Sequence, residues 1–97
     1  MSTYVTLINW TQQGIENVKE GPARLDAAKE VIQASGGKYI GYYLTLGQYD
    51  GILISEYSDD KTVGKLALAF GAQGNVRTQT LKAFTEEEFR QMIAELP

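Results

Sequence analysis

The side chain best placed in this sequence for acid–base or ionic work is Asp50. It sits in Leu46-Gly47-Gln48-Tyr49-Asp50-Gly51, where a carboxylate, an aromatic ring and two glycines separate two apolar runs. A carboxylate there can bind a cationic group or take a proton. Aspartate in a turn also bonds nearby backbone N–H groups or pairs with arginine, which is its more ordinary role. Arg24 and Arg77 carry the planar fork that clamps a carboxylate or a phosphate. Either can instead bridge to Asp50 or meet the negative end of a helix. An arginine partner would hold Asp50 ionised and lower its pKa, making it a poor base at neutral pH. Trp10 and Tyr49 join apolar bulk to a polar tip, which suits lining a pocket or roofing the edge of a core. Asn75 joins this set through the topology derived below.

What the chain lacks narrows its chemistry further. It has no histidine and no cysteine. The commonest general base, the commonest metal ligand, the thiol nucleophile and the disulfide are therefore unavailable. A base would have to be Asp50, a lysine or a tyrosine. Asp59-Asp60 and Glu86 to Glu88 read as charges at helix starts, without the spacing of an EF-hand or a metal cluster. Gly71 to Gly74 precede a strand, whereas phosphate-binding glycines precede a helix. No cofactor and no metal are expected. The net charge of −3 disfavours a nucleic-acid backbone as partner. No apolar run approaches the roughly 20 residues of a membrane helix. The start, Met1-Ser2-Thr3-Tyr4, has no signal-peptide pattern, so a cytoplasmic protein away from membranes is expected.

Ninety-seven residues suggest a single domain spanning 1–97, with one modest core. Thr3 to Trp10 reads as a strand with apolar groups on both faces. Thr11 can cap a short turn. Pro22 suits the first turn of a longer helix, with Leu25, Ala28, Val31, Ile32 and Ser35 near helical spacing and Gly36-Gly37 ending it. Lys38 to Leu46 and Gly51 to Tyr57 read as a hairpin of two strands. Ser58-Asp59-Asp60 starts a helix whose stripe is Val63, Leu66, Ala67 and Phe70 and whose end is at Gly71 and Gly74. Val76 to Phe84 is a fourth strand. Thr85-Glu86-Glu87-Glu88 has capping-box spacing before a last helix with Phe89, Met92, Ile93 and Leu96 on one face.

This order is the split βαβ pattern of an α+β, ferredoxin-like βαββαβ domain with an extra C-terminal helix. It implies an antiparallel sheet in the order 4-1-3-2 with helices on one face. Alternation leaves Val5 or Ile8, Leu53 or Ile54, and Tyr42 or Tyr43 on the bare face. A patch of that kind marks an interaction surface. A homodimer through the open face, forming a dimeric α/β barrel or part of a higher oligomer, is expected; the rival is a monomer whose terminal helix folds over that face. The same topology carries Trp10, Arg24, Tyr49, Asp50, Asn75 and Arg77 toward one end of the sheet.

Three blocks in order carry a family resemblance: Thr6-Leu7-Ile8-Asn9-Trp10-Thr11-Gln12-Gln13-Gly14-Ile15 with Arg24; Leu46-Gly47-Gln48-Tyr49-Asp50 with Asp59-Asp60; and Gly71-Ala72-Gln73-Gly74-Asn75-Val76-Arg77-Thr78-Gln79-Thr80. Together they resemble the GYD-domain family over nearly the whole chain. Ser58 stands where that family often has proline. The resemblance implies a small, mostly bacterial, ferredoxin-like protein of the dimeric α/β-barrel kind with no general activity assigned.

The leading reading is a homodimeric binding or regulatory module with a small anionic organic ligand between sheet and helices. A cofactor-free isomerase or monooxygenase is the enzymatic rival, by fold analogy. Single-stranded RNA binding is the third; it needs exposed aromatics in a basic setting, and Gly51-Ile52-Leu53-Ile54-Ser55-Glu56-Tyr57 is apolar in an acidic chain.

Overall fold

A computed structural model describes residues 1–97. Its elements are β1 (Ser2–Trp10), α1 (Gln12–Glu16), a 3-10 turn (Val18–Glu20), α2 (Gly21–Ala34), β2 (Lys38–Leu44), β3 (Gly51–Tyr57), α3 (Asp60–Ala72), β4 (Val76–Ala83) and α4 (Glu86–Glu95). The four strands form one sheet in the order β2-β3-β1-β4, with every neighbouring pair antiparallel.

Local chemistry sets the ends of the elements. The Thr11 side chain accepts from the Gly14 N–H and starts α1. Pro22 lies in the first turn of α2, and Gly36 leaves that helix at φ 86°. Asp59 accepts from the Thr62 N–H at 2.7 Å, and Thr85 with Glu88 closes a capping box on α4.

Several sequence boundaries need correction. β2 stops at Leu44, and the loop runs from Thr45 to Asp50, tied by Thr45 N–H to the Asp50 carbonyl at 3.0 Å. β4 stops at Ala83, leaving Phe84 in the connection to α4. Gly71 lies inside α3; the positive φ of 83° falls on Gly74. Val31 points outward at 40% exposure, because the neighbouring Ile32 takes the inward position.

The core forms where the helix-facing side of the sheet meets α2 and α3. Tyr4, Leu53 and Tyr57 from the sheet meet Ile32 of α2 and Leu66 of α3. Tyr4 and Tyr57 pack edge to face at 5.7 Å. Ser55 is buried among them, and its Oγ has no hydrogen-bond partner. A buried hydroxyl without a partner is costly, so Ser55→Ala should stabilise the fold by about 1 kcal/mol in urea unfolding.

The tertiary structure resolves the two-way choices left by alternation. Val5, Ile54 and Tyr43 occupy the face without helices, with Val5 opposite both Ile54 and Leu81 and with Tyr43 opposite Ile52. The terminal helix leaves that face uncovered. α4 packs extensively against no other element, and Phe89, Met92, Ile93 and Leu96 remain exposed. The radius of gyration, 14.7 Å, exceeds the about 12.5 Å of a compact chain this long, as a helix standing off the body requires.

Candidate functional site

A cleft of about 460 Å³ opens between the helix-facing side of the sheet and helices α2 and α3. Ile8, Trp10, Tyr42 and Leu53 form its floor, and Leu25 and Phe70 its walls. It stays open because Thr6, Thr78 and Ala28, which also line it, are too small to fill the gap. A concave, mainly apolar space with a few polar groups is the usual form of a small-molecule site.

The polar groups gather at one end, around Gly14. Thr11 N–H donates to the Asn75 carbonyl at 3.1 Å, and the Thr11 hydroxyl donates to the Gly74 carbonyl. These bonds pull α1 onto the α3–β4 connection. Gly14 is buried there, so close that a Cβ on it would lie 2.0 Å from the Asn75 carbonyl oxygen. Arg24 donates from Nη2 to the Gly14 carbonyl at 3.4 Å, and its Nη1 lies 3.5 Å from the exposed Glu20 carboxylate. Arg24 and Asn75 therefore flank the same glycine, and both line the cleft.

The Gln13 side chain fixes the orientation of the Asn75 amide. Its Nε2 donates both to the Gln73 carbonyl at 3.2 Å and to Asn75 Oδ1 at 2.9 Å. A carbonyl only accepts, so the Gln13 nitrogen must face both groups, and Asn75 must present its oxygen to it. The Asn75 Nδ2 donors are left free.

Of the six residues assembled from the sequence, Trp10, Arg24 and Asn75 line this cleft. Tyr49, Asp50 and Arg77 do not. Tyr49 Oη donates to Gln79 Oε1 at 3.1 Å, on the strand beside Arg77. Arg77 is exposed and pairs in register with Asn9, on the sheet face away from the helices. Neither arginine pairs with Asp50, contrary to the pairing considered from sequence. Asp50 Oδ2 instead accepts from the Trp10 backbone N–H at 2.9 Å, while its own N–H donates to the Ile8 carbonyl at 2.8 Å. The carboxylate thus extends the β1–β3 ladder one step beyond its last pair, Ile8 with Gly51, just before β3 begins.

Electrostatics in the cleft favour binding over proton transfer. Burial, and then the nearby Asp50 carboxylate, push the Tyr42 phenol up, so at neutral pH it stays a neutral hydroxyl and is no base. Arg24 is the only formally charged group on the walls.

A second cluster clasps α3 to the sheet. Tyr4 donates to Asp60, and Lys82 Nζ lies 3.4 Å from the same oxygen. The hydrogen bond to Asp60 is the main reason the Tyr4 phenol is pushed up to about 12 from 10.0, with burial adding to it. The bonds from Tyr4 and then Lys82 hold Asp60 below its usual 3.8. The raised phenol favours the fold fully below pH 10.0, and this contribution is lost as pH rises through about 12. The lowered carboxyl favours the fold above 3.8, and its contribution is lost as pH falls through its folded value. Tyr4→Phe should make both limbs of a Tm–pH profile shallower, with tyrosinate absorbance marking the alkaline limb.

Sequence reasoning missed Gly14, Gln13 and Tyr42 as residues that shape the site. A glycine inside a short helix was the one available signal, since it costs helix stability and points to a close approach. The Gln13–Asn75 bond spans 62 positions and left no local pattern.

The GYD-domain family model matches residues 4–93, nearly the whole chain. The chain belongs to the GYD-domain family. A relative of this GYD domain from Thermus thermophilus, named glutamine synthetase and cystathionine beta-lyase binding protein, is 30% identical over 84 residues. The alignment covers 86% of this chain and 88% of that protein. The crystal structure of TTHA0845 from Thermus thermophilus matches with a TM-score of 0.54 at 23% identity, over 88% of this chain and 95% of that one. The structural likeness supports the α+β, ferredoxin-like fold of the GYD domain. No helix is long and apolar enough to cross a membrane.

Proposed function

We propose that this GYD domain is a homodimeric binding or regulatory module, cytoplasmic and bacterial in type. It docks on partner proteins and takes a small anionic organic ligand in the cleft between sheet and helices. The uncovered sheet face carries this reading. Val5, Ile52, Ile54, Tyr43 and Leu81 form an apolar band across all four strands, and the chain's own α4 does not cover it. A contiguous band of this kind is normally an interface. α4 adds support. A ten-residue helix is marginal alone in water, and its exposed apolar stripe suits packing on a second chain. The relative named for binding two metabolic enzymes supports a protein partner of that class. The cleft, with Arg24 as its charged group, supports the anionic ligand.

Size-exclusion chromatography with light scattering tests the dimer, and a monomer at micromolar concentration would overturn it. Ile54→Lys should weaken association at least about tenfold, because it buries an unpaired charge at the centre of the band. The far-ultraviolet circular dichroism of that variant should remain native, since Ile54 faces away from the core.

A further inference from the structure

The geometry points to a monocarboxylate with an apolar body as the ligand of the cleft. This rests on reading the cleft as a site for a small anion and goes on to name the class of anion. The carboxylate would lie at the Gly14 end, between the Arg24 fork and the free Asn75 Nδ2. The hydrocarbon body would run along Ile8, Leu25 and Phe70.

Charge, directionality and size each select this class. Only one wall residue is charged, and it is a cation, so the cleft balances one negative charge. A phosphate monoester would bring nearly two into a mainly apolar space, leaving one poorly compensated. A cationic ligand would meet Arg24 and no wall carboxylate.

The donors are available. The bonds that now hold Arg24 are long, 3.4 Å to Gly14 and 3.5 Å to Glu20, whose side chain is 71% exposed. The solvated Glu20 carboxylate holds Arg24 only weakly at that distance, so an incoming carboxylate displaces it at small cost and gains bidentate geometry. Gln13 occupies the Asn75 oxygen, so the N–H donors are what the Asn75 side chain has left to offer a ligand. A cation and the N–H groups of a side-chain amide on the same cleft suit a group that only accepts. A volume near 460 Å³ fits a medium-chain fatty acid or an arylalkanoic acid.

Trp10 is the only tryptophan in the chain and lies on the cleft floor, so its fluorescence reports occupancy. The test titrates octanoate, octanol and octyl phosphate, which share one apolar body, into the full-length protein. Octanoate should change the Trp10 emission and bind at least about tenfold more tightly than either of the others. Arg24→Gln should weaken octanoate about 10- to 100-fold and leave octanol unchanged, while Arg24→Lys should recover only part of the loss. Circular dichroism and Tm show whether each variant is folded. Tighter binding of octyl phosphate would overturn the monocarboxylate class and leave the anionic cleft standing. Octanol binding as tightly as octanoate, or octanoate binding unchanged in folded Arg24→Gln, would overturn the proposal. Failure of all three to bind would overturn the ligand-binding reading of the cleft itself.

Discussion

Gly14→Ala should lower the Tm of this protein by roughly 12–24 °C, taking a clash worth about 3 kcal/mol in a domain of this size. Helix propensity alone gives the opposite sign. Alanine inside a short helix should stabilise by up to about 1 kcal/mol relative to glycine. The tertiary contact decides the outcome. The added Cβ would lie 2.0 Å from the Asn75 carbonyl oxygen and 2.9 Å from its carbon. Both are backbone atoms, so no flexible side chain can swing away. Either α1 lifts or the α3–β4 connection moves, and both break the Thr11 N–H bond to Asn75. The variant should also lose ligand binding in its folded fraction, because Arg24 and Asn75 are positioned on either side of this glycine. Thermal melts check the first effect and Trp10 fluorescence the second. A variant as stable as the parent would mean that α1 is not seated as described.

Asp50→Ala should cost about 2 kcal/mol, or roughly 8–16 °C in Tm. The loss comes from the Trp10 N–H, which keeps its need for an acceptor when the carboxylate at 2.9 Å is removed. Asp50→Asn should cost less than half as much, since the amide oxygen can still accept, although a neutral acceptor bonds more weakly. Binding in the cleft should change little in either variant, because Asp50 does not line it. Urea unfolding, with octanoate titration below the transition, separates the two effects. If Asp50→Ala instead kept its stability and lost binding, the residue would belong to the site and the hydrogen bond to Trp10 would be incidental.

These two substitutions show where sequence reading works and where it stops. The capping residues Thr11, Asp59 and Thr85 were legible because capping is local: a side-chain oxygen reaches an N–H within three residues. The stripe of Val63, Leu66 and Phe70 was legible because helical periodicity is local too. The role of Asp50 was only half legible. Its residue type and turn position indicated a backbone clasp, but its partner lies 40 residues away, and nearby arginines looked equally suitable. Strand alternation placed Val5 and Ile8 on opposite faces without saying which face carried the helices.

The sequence by itself determined the order of the elements, most of their ends, the exclusion of histidine and cysteine chemistry, and the family. Each of these depends on residue type or on spacing within one element. Tertiary structure alone decided that Asp50 clasps β1 and pairs with neither Arg24 nor Arg77, and that Arg77 and Tyr49 lie outside the cleft lining. It also decided that Arg24 and Asn75 flank Gly14, and that α4 stands off the sheet. The physical reason is common to these four. Hydrogen bonds and packing contacts act over about 3–4 Å, so partners are set by where the folded elements come to rest. Spacing along the chain carries no record of that.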